Sequence, residues 1–409
     1  MNIDVRAVER AIADLKEKVA DNPRDEQARL ELGKMCLLAG RPDEGLSFIS
    51  DVVAQKPNNP DYRVELAKAL IQALRRDEAM QELRRVLHRQ PRHVEANFYL
   101  GVALADQMQY DEAIDQWKTV LRVNRKHAAA HYFLGKVYAL KGMVDAAIHE
   151  TKKAIELAPE NVMAHAQMGE LLLSQGKAQD SLRAWQAVLQ LDPRHLQALH
   201  NVGALYLDLG LVDQALASLK RALAFGSENP LVYFNLGVAH AIKQELDMAI
   251  EHWQKAVDMD PNYYAAHLNL GGAYAARGQY DESVAHMERL VELAPGDPDP
   301  HTFLAEMYYR SNRHTEALAA CDRALALKAD LARGHFLRGI ILLALGRDHE
   351  AVDAWGRAQG FDPNVALEAA RFIHEFVPAS AIERAHQVAA TPEHKKVVAS
   401  VKSLKEKSS

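Results

Sequence analysis

The feature that most constrains this chain is a period of 34 residues. From Glu26 to Val365 the sequence divides into ten repeats without insertion or deletion. They begin at Glu26, Pro60, Val94, Ala128, Val162, Leu196, Pro230, Tyr264, Pro298 and Ala332. The repeat from Tyr264 to Pro295 reads as two short helices. Apolar residues return at helical spacing through Leu270, Tyr274, Val284, Met287 and Leu290, and Gly278 and Gln279 interrupt them. One such hairpin cannot bury its own apolar face, so the fold must stack neighbouring hairpins.

Three positions set the internal geometry. Position 8 is Gly33, Ala67, Gly101, Gly135, Gly169, Gly203, Gly237, Gly271, Ala305 and Gly339. Glycine inside a helix costs about 1 kcal/mol against alanine, so its recurrence implies close approach of another helix. Position 20 is also small, from Gly45 and Ala79 to Ala351. Positions 8 and 20 are therefore expected to face each other where the two helices of a repeat cross. Position 7 is the large partner, Leu32 and Leu236 among others, with Arg338 as the exception. Position 32 is proline in seven of the ten repeats and is expected to fix where each second helix stops.

This pattern resembles the tetratricopeptide repeat, whose period is also 34 residues. The resemblance covers Glu26 to Val365 and implies an all-α fold. The expected architecture is a right-handed α-solenoid of ten helix-turn-helix repeats with capping helices. Residues 1–25 are expected to form an N-terminal capping helix begun by Asp4 as N-cap, and residues 26–365 the repeats. Residues 366–390 should supply C-terminal capping helices and 391–409 a lysine-rich, solvated tail.

Composition narrows the function classes. The net charge is −6 and the pI about 6.3, which opposes nucleic acid as a partner. No run of about 18 apolar residues suggests membrane insertion. The first residues, MNIDVRAVERAIADLKEK, lack a signal peptide's apolar core. Cys36 and Cys321 are far apart and at core-type positions, so a reducing, cytoplasmic setting is expected rather than a disulfide framework.

Residues with chemical potential read as structural. Trp117, Trp185, Trp253 and Trp355 all occupy position 24, where Ile49, Leu83, Leu219 and Met287 stand elsewhere. Tyr138, Tyr206, Tyr274 and Tyr308 share position 11. Five of the nineteen histidines, His131, His165, His267, His301 and His335, share position 4, an inter-helix packing slot. Zinc needs about four converging ligands, and no cysteine pair or His-Glu-His set supplies them. No phosphate loop, Gly-x-Ser-x-Gly turn or zincin motif is present. The chain is therefore expected to be no enzyme and to hold no cofactor or metal. Paired acids such as Asp111 and Glu112 mark second-helix starts, where they favour the helix dipole.

The resemblance implies that first helices line a concave groove through positions 2, 5, 6, 9, 12 and 13. Three zones result. Repeats three and four offer Phe98, Tyr99, Tyr132 and Phe133, with Lys136 beside them. Repeats six to eight offer Asn201, Asn235 and Asn269, all at position 6. Repeats nine and ten offer Phe303, Tyr309 and Phe336. The asparagine series is similar to the ladder in the repeat region of the O-GlcNAc transferase family, which holds extended peptides by their backbone. An amide can pair with any peptide unit, because it both donates and accepts. That family's catalytic domain is expected to be absent. The chaperone carboxylate clamp needs lysine at position 5 and asparagine at position 9, and no repeat has either. The resemblance thus implies a non-enzymatic scaffold binding a protein or peptide partner in the groove. Self-assembly into a homo-oligomer, or an accessory role presenting substrate to a separate enzyme such as a glycosyltransferase, are the alternatives.

Overall fold

A computed structural model describes residues 5–407; the N-cap expected at Asp4 lies outside them. No strand occurs among the described residues. The chain forms two compact units, Met1–Leu205 and Tyr206–Ser409.

Each repeat contributes a first helix that starts at its first residue, as in Glu26–Leu38, Val94–Asp106, Pro230–Ile242 and Ala332–Ala344. The residue before supplies the reason. The side chains of Asp25, Asn59, Asn161, Asn229 and Asp297 accept a backbone N–H of the opening turn, satisfying a donor that the helix itself leaves unpaired.

The turn between the two helices is uniform in a way that composition hides. Position 15 has positive φ in every repeat: Gly40, Gly142, Gly176, Gly210, Gly278 and Gly346 near +73°, and Leu74, Met108, Gln244 and Asn312 near +61°. Glycine takes this conformation freely. Leucine, methionine and glutamine do not, so the repeat imposes the turn on them.

Second helices start at position 17, as in Pro42–Gln55 and Tyr280–Leu293. The proline at position 32 is not what stops them. Tyr110–Val123 and His314–Leu327 end at the same position 30, although Arg125 and Ala329 follow where proline stands elsewhere.

A hydrogen bond between repeats ties most of these joints. In repeats two to five, eight and ten, the side chain at position 4 bonds the carbonyl at position 32 of the preceding repeat. Arg63 Nε donates to Pro57 O at 2.7 Å, Asn97 Nδ2 to Pro91 O at 3.1 Å, and His165 Nε2 to Pro159 O at 2.8 Å. His131 on Arg125, His267 on Pro261 and His335 on Ala329 do the same. Arg29 makes the equivalent bond to Pro23. The loop carbonyl two residues past the helix end is thus satisfied by Arg, Asn or His alike.

Within a repeat, positions 8 and 20 do face each other. Ser181 Oγ donates to Gly169 O at 2.7 Å and Ser283 Oγ to Gly271 O at 2.8 Å. What fills the space above the glycine is position 24. A Cβ on Gly101 or Gly169 would lie 2.5 Å from the indole nitrogen of Trp117 or Trp185. Trp117, Trp253 and Trp355 also donate Nε1 to the carbonyl of position 5, at 3.0–3.2 Å. Arg338, the exception at position 7, is half-buried and pairs with Asp322 at 2.6 Å.

The helix Val5–Asp21 packs Ile12, with Val8, Leu15 and Val19 beside it, on Leu32 and Cys36. At the other end the short helices Val365–Glu368 and Ala370–Phe376 precede Ala379–Val388 and a terminal helix, Pro392–Lys407. The lysine-rich stretch is therefore not a solvated tail. Its Val397, Val398 and Val401 are fully buried in the core that includes Trp355 and Ile373, and Lys402 pairs outward with Glu383 at 2.7 Å. The lysines obscure a stripe of valines at helical spacing.

Candidate functional site

In the first compact unit, the inner residues of repeats one to four form a mixed aromatic and cationic surface. Phe98 and Phe133 meet edge to face at 5.6 Å, and Phe133 stacks on Trp117 at 5.5 Å. Tyr99 and Tyr132 flank this pair, at 5.1 Å from Phe98 and 5.2 Å from Phe133. Phe98 is only 9% exposed, because it anchors the cluster beneath the others. It is core rather than a contact residue. Tyr99, Tyr132 and Phe133 remain half-buried, and Lys136 is exposed.

Position 9 is lysine in repeats one, two and four: Lys34, Lys68 and Lys136. Only Lys136 stands out from the sequence, because it alone neighbours aromatics in its own repeat. Lys68 Nζ lies 5.3 Å over the Tyr99 ring. Lys34 and Lys68 both grip Glu65, at 2.9 and 2.7 Å. Burial pushes the Glu65 carboxyl up, but hydrogen bonds from the two ammonium groups outweigh it and hold it below its ordinary range. A cavity of about 220 Å³ opens here between Lys34, Leu37, Glu65 and Lys68. This surface can bury apolar side chains on the rings and pair carboxylates with the lysines.

The asparagines divide between the compact units. Asn201 belongs to the first, and Asn235 and Asn269 to the second; all three are half-buried.

Two of the three residues of the third expected zone are packed away. Phe336 is 2% exposed and stacks on Trp355 at 5.7 Å. Tyr309 is 6% exposed, its ring lies 5.5 Å from Phe372, and its hydroxyl donates to Phe376 O at 3.1 Å. Burial pushes that phenol up to about 12. Arg310 lies over Phe376 at 4.3 Å and Phe372 at 5.1 Å while pairing with Glu306 at 2.7 Å. Phe303 is half-buried, with the Arg333 guanidinium 5.1 Å over its ring. Tyr309 is thus structural, because the C-terminal helix Ala370–Phe376 covers it, and Phe336 is packed on Trp355 at the edge of a cavity of about 290 Å³ that Arg310, Arg333 and Phe372 also line. The signal for that helix, Phe372 and Phe376 one turn apart, lies beyond the last repeat.

Among the described residues, no group of three or more His, Cys, Asp or Glu could hold a metal ion. Cys36 and Cys321 are free and buried, and burial pushes the Cys321 thiol up to about 12. No helix among the described residues is long and apolar enough to cross a membrane.

A helix-turn-helix repeat of this length, with small residues at the crossing, defines a class of interaction repeat. Family comparison agrees. One tetratricopeptide-repeat profile matches residues 4–63, 37–97, 243–307 and 275–341, and a second matches 104–162, 167–230 and 203–264. The chain belongs to the tetratricopeptide-repeat family. Among solved structures, it is similar to MamA from Desulfovibrio magneticus RS-1, with 26% identity, a TM-score of 0.39, and coverage of 41% of this chain and 95% of that one. It is also similar to YrrB, described as having an unusual peptide-binding site, with 24% identity, a TM-score of 0.40, and coverage of 48% and 96%. A repeat protein from Cytophaga hutchinsonii gives 19% identity, a TM-score of 0.49, and coverage of 57% and 95%. No curated protein matches the chain.

Proposed function

We propose that this protein is a non-catalytic scaffold whose inner helix faces bind segments of partner proteins. The observation that carries the reading is the half-exposed group Tyr99, Tyr132 and Phe133 beside the position 9 lysines. Such rings offer apolar area, worth about 25 cal/mol for each Å² buried, and all three stay partly exposed in the first compact unit. Asn201, and in the second unit Asn235 and Asn269, supply amides suited to peptide backbone whatever its side chains. That is the peptide-holding chemistry of the O-GlcNAc transferase repeats.

The test is affinity capture from the native cell, followed by calorimetry of each captured segment against wild type and Tyr99→Ala/Tyr132→Ala. Weakening of about tenfold or more, with an unchanged melt, supports the reading. Equal affinity for the variant overturns it. Sedimentation at several concentrations distinguishes a captured second copy of this chain from a different protein.

A further inference from the structure

The second helix of repeat two, Arg76–Arg89, carries three exposed arginines, Arg84, Arg85 and Arg89. Beside it, the loop that joins repeats one and two closes a cleft of about 540 Å³. Arg63, Arg84, Arg85 and Arg89 line it, with His88. None of these stands at an inner-face position of its repeat, so the cleft is separate from the aromatic and lysine surface.

Its charge is poorly compensated. Among the described residues, the one carboxylate engaged with these arginines is Glu82, which Arg63 and Arg85 share. Arg89 Nη1 donates to Asn58 Oδ1 at 2.5 Å, a neutral partner. Arg84 is exposed and has no ion-pair partner among the described residues. Four guanidinium groups thus meet one carboxylate, in a chain whose net charge is −6. The related clefts differ: between repeats three and four, Lys118, Arg122 and Arg125 line one of about 380 Å³ with Glu150, and it holds two guanidinium groups where the first holds four. In repeats nine and ten, Asp322, Glu350 and Asp353 line the corresponding space together with Arg338 and Arg357.

We propose that this cleft binds an acidic peptide segment of a partner protein. Guanidinium groups pair carboxylates in bidentate fashion, and a row along one helix suits carboxylates spaced along a chain. Single-stranded nucleic acid would need aromatic platforms for its bases, and no Phe, Tyr or Trp lines the cleft.

The test uses the full chain and a fluorescein-labelled hexaglutamate peptide, read by anisotropy in about 50 mM salt, where such contacts are strongest. Arg84→Glu/Arg89→Glu should weaken binding at least tenfold, and Arg84→Gln/Arg89→Gln by less. Lys118→Glu/Arg122→Glu, an equal change of charge in the separate cleft of repeat three, should change it less than twofold. Both arginines are exposed, so circular dichroism should show each variant folded. No binding by wild type, or equal binding by Arg84→Glu/Arg89→Glu, would overturn the proposal. So would an oligothymidylate of equal charge that binds as tightly through the same arginines, or displacement of the peptide by millimolar inorganic phosphate.

Discussion

Gly237 lies directly beneath the indole of Trp253, and a Cβ at that glycine would overlap the ring's Cδ1 and Nε1. The ring cannot swing away cheaply, because its Nε1 donates to Phe234 O at 3.2 Å. Gly237→Leu should therefore destabilise the protein by about 1–3 kcal/mol or more, as overpacking does. Gly272 is the built-in control. It is also helical, but a Cβ there meets nothing within 4 Å. Gly272→Ala should stabilise by about 0.5–1 kcal/mol. Denaturant melts of the two variants should move in opposite directions, and parallel shifts would refute the crossing geometry.

The turns offer a second test. Leu74 and Met108 hold φ of 61° while being 67% and 75% exposed. Left-handed conformation costs a non-glycine residue about 1–2 kcal/mol, and glycine's greater unfolded-state freedom takes back about 0.5–1 kcal/mol. Each change to glycine should thus raise stability by roughly 0.5–1 kcal/mol. A loss of stability in Leu74→Gly/Met108→Gly would mean that these side chains contribute packing despite their exposure.

Acid should loosen repeat eight. His267 Nε2 donates to Pro261 O at 3.2 Å, which leaves its Nδ1 to accept from His286 Nδ1 at 3.0 Å. Burial first, and the neighbouring His267 second, lower His286 from 6.5 to about 4. Between those values the unfolded chain binds the proton more readily than the folded one. The stability tied to a neutral His286 is therefore full above pH 6.5 and is lost as the pH falls towards about 4. Burial likewise lowers His127, His252, His301 and His314, which adds to the same trend. Melts at pH 7.5 and 5 should differ more for wild type than for His286→Gln. An identical pH response would remove His286 from the account.

Truncation before Pro392 should destabilise the second compact unit. It strips Val397, Val398 and Val401 from a core they fully enter, and burying a valine side chain is worth about 1.5–3 kcal/mol. A truncated chain that melts like the full one would return the lysine-rich stretch to the role of a tail.

Periodic residues were readable wherever one side chain serves the same purpose in every repeat. The position 8 glycines announced a crossing, and the ten repeat starts coincide with the first residues of ten helices. Position 15 was hidden because leucine, methionine and glutamine there are tolerated by force of context. The bond from position 4 was hidden for the opposite reason: arginine, asparagine and histidine all make it, so no single residue type marks it. At the inner face, pattern alone could not separate Phe98 and Phe336, which are packed beneath neighbours, from Tyr99 and Tyr132. Exposure there depends on what lies across the surface, and for Tyr309 that is a helix some 60 residues away.

The bond between position 4 and the preceding carbonyl also bears on heredity. A 34-residue stretch with Arg, Asn or His at position 4 can carry the donor for its predecessor and the acceptor for its successor, as six of the repeat joints show. A copying error that duplicates or deletes one whole stretch of this kind leaves its joints complete, because incoming ends already match. Guanidinium, amide and imidazole are interchangeable in the bond, so a copied stretch need not resemble the neighbour it joins. Length in such a gene can drift by whole repeats without any new joint having to be invented, whereas a change of a single residue in length would break the register at once.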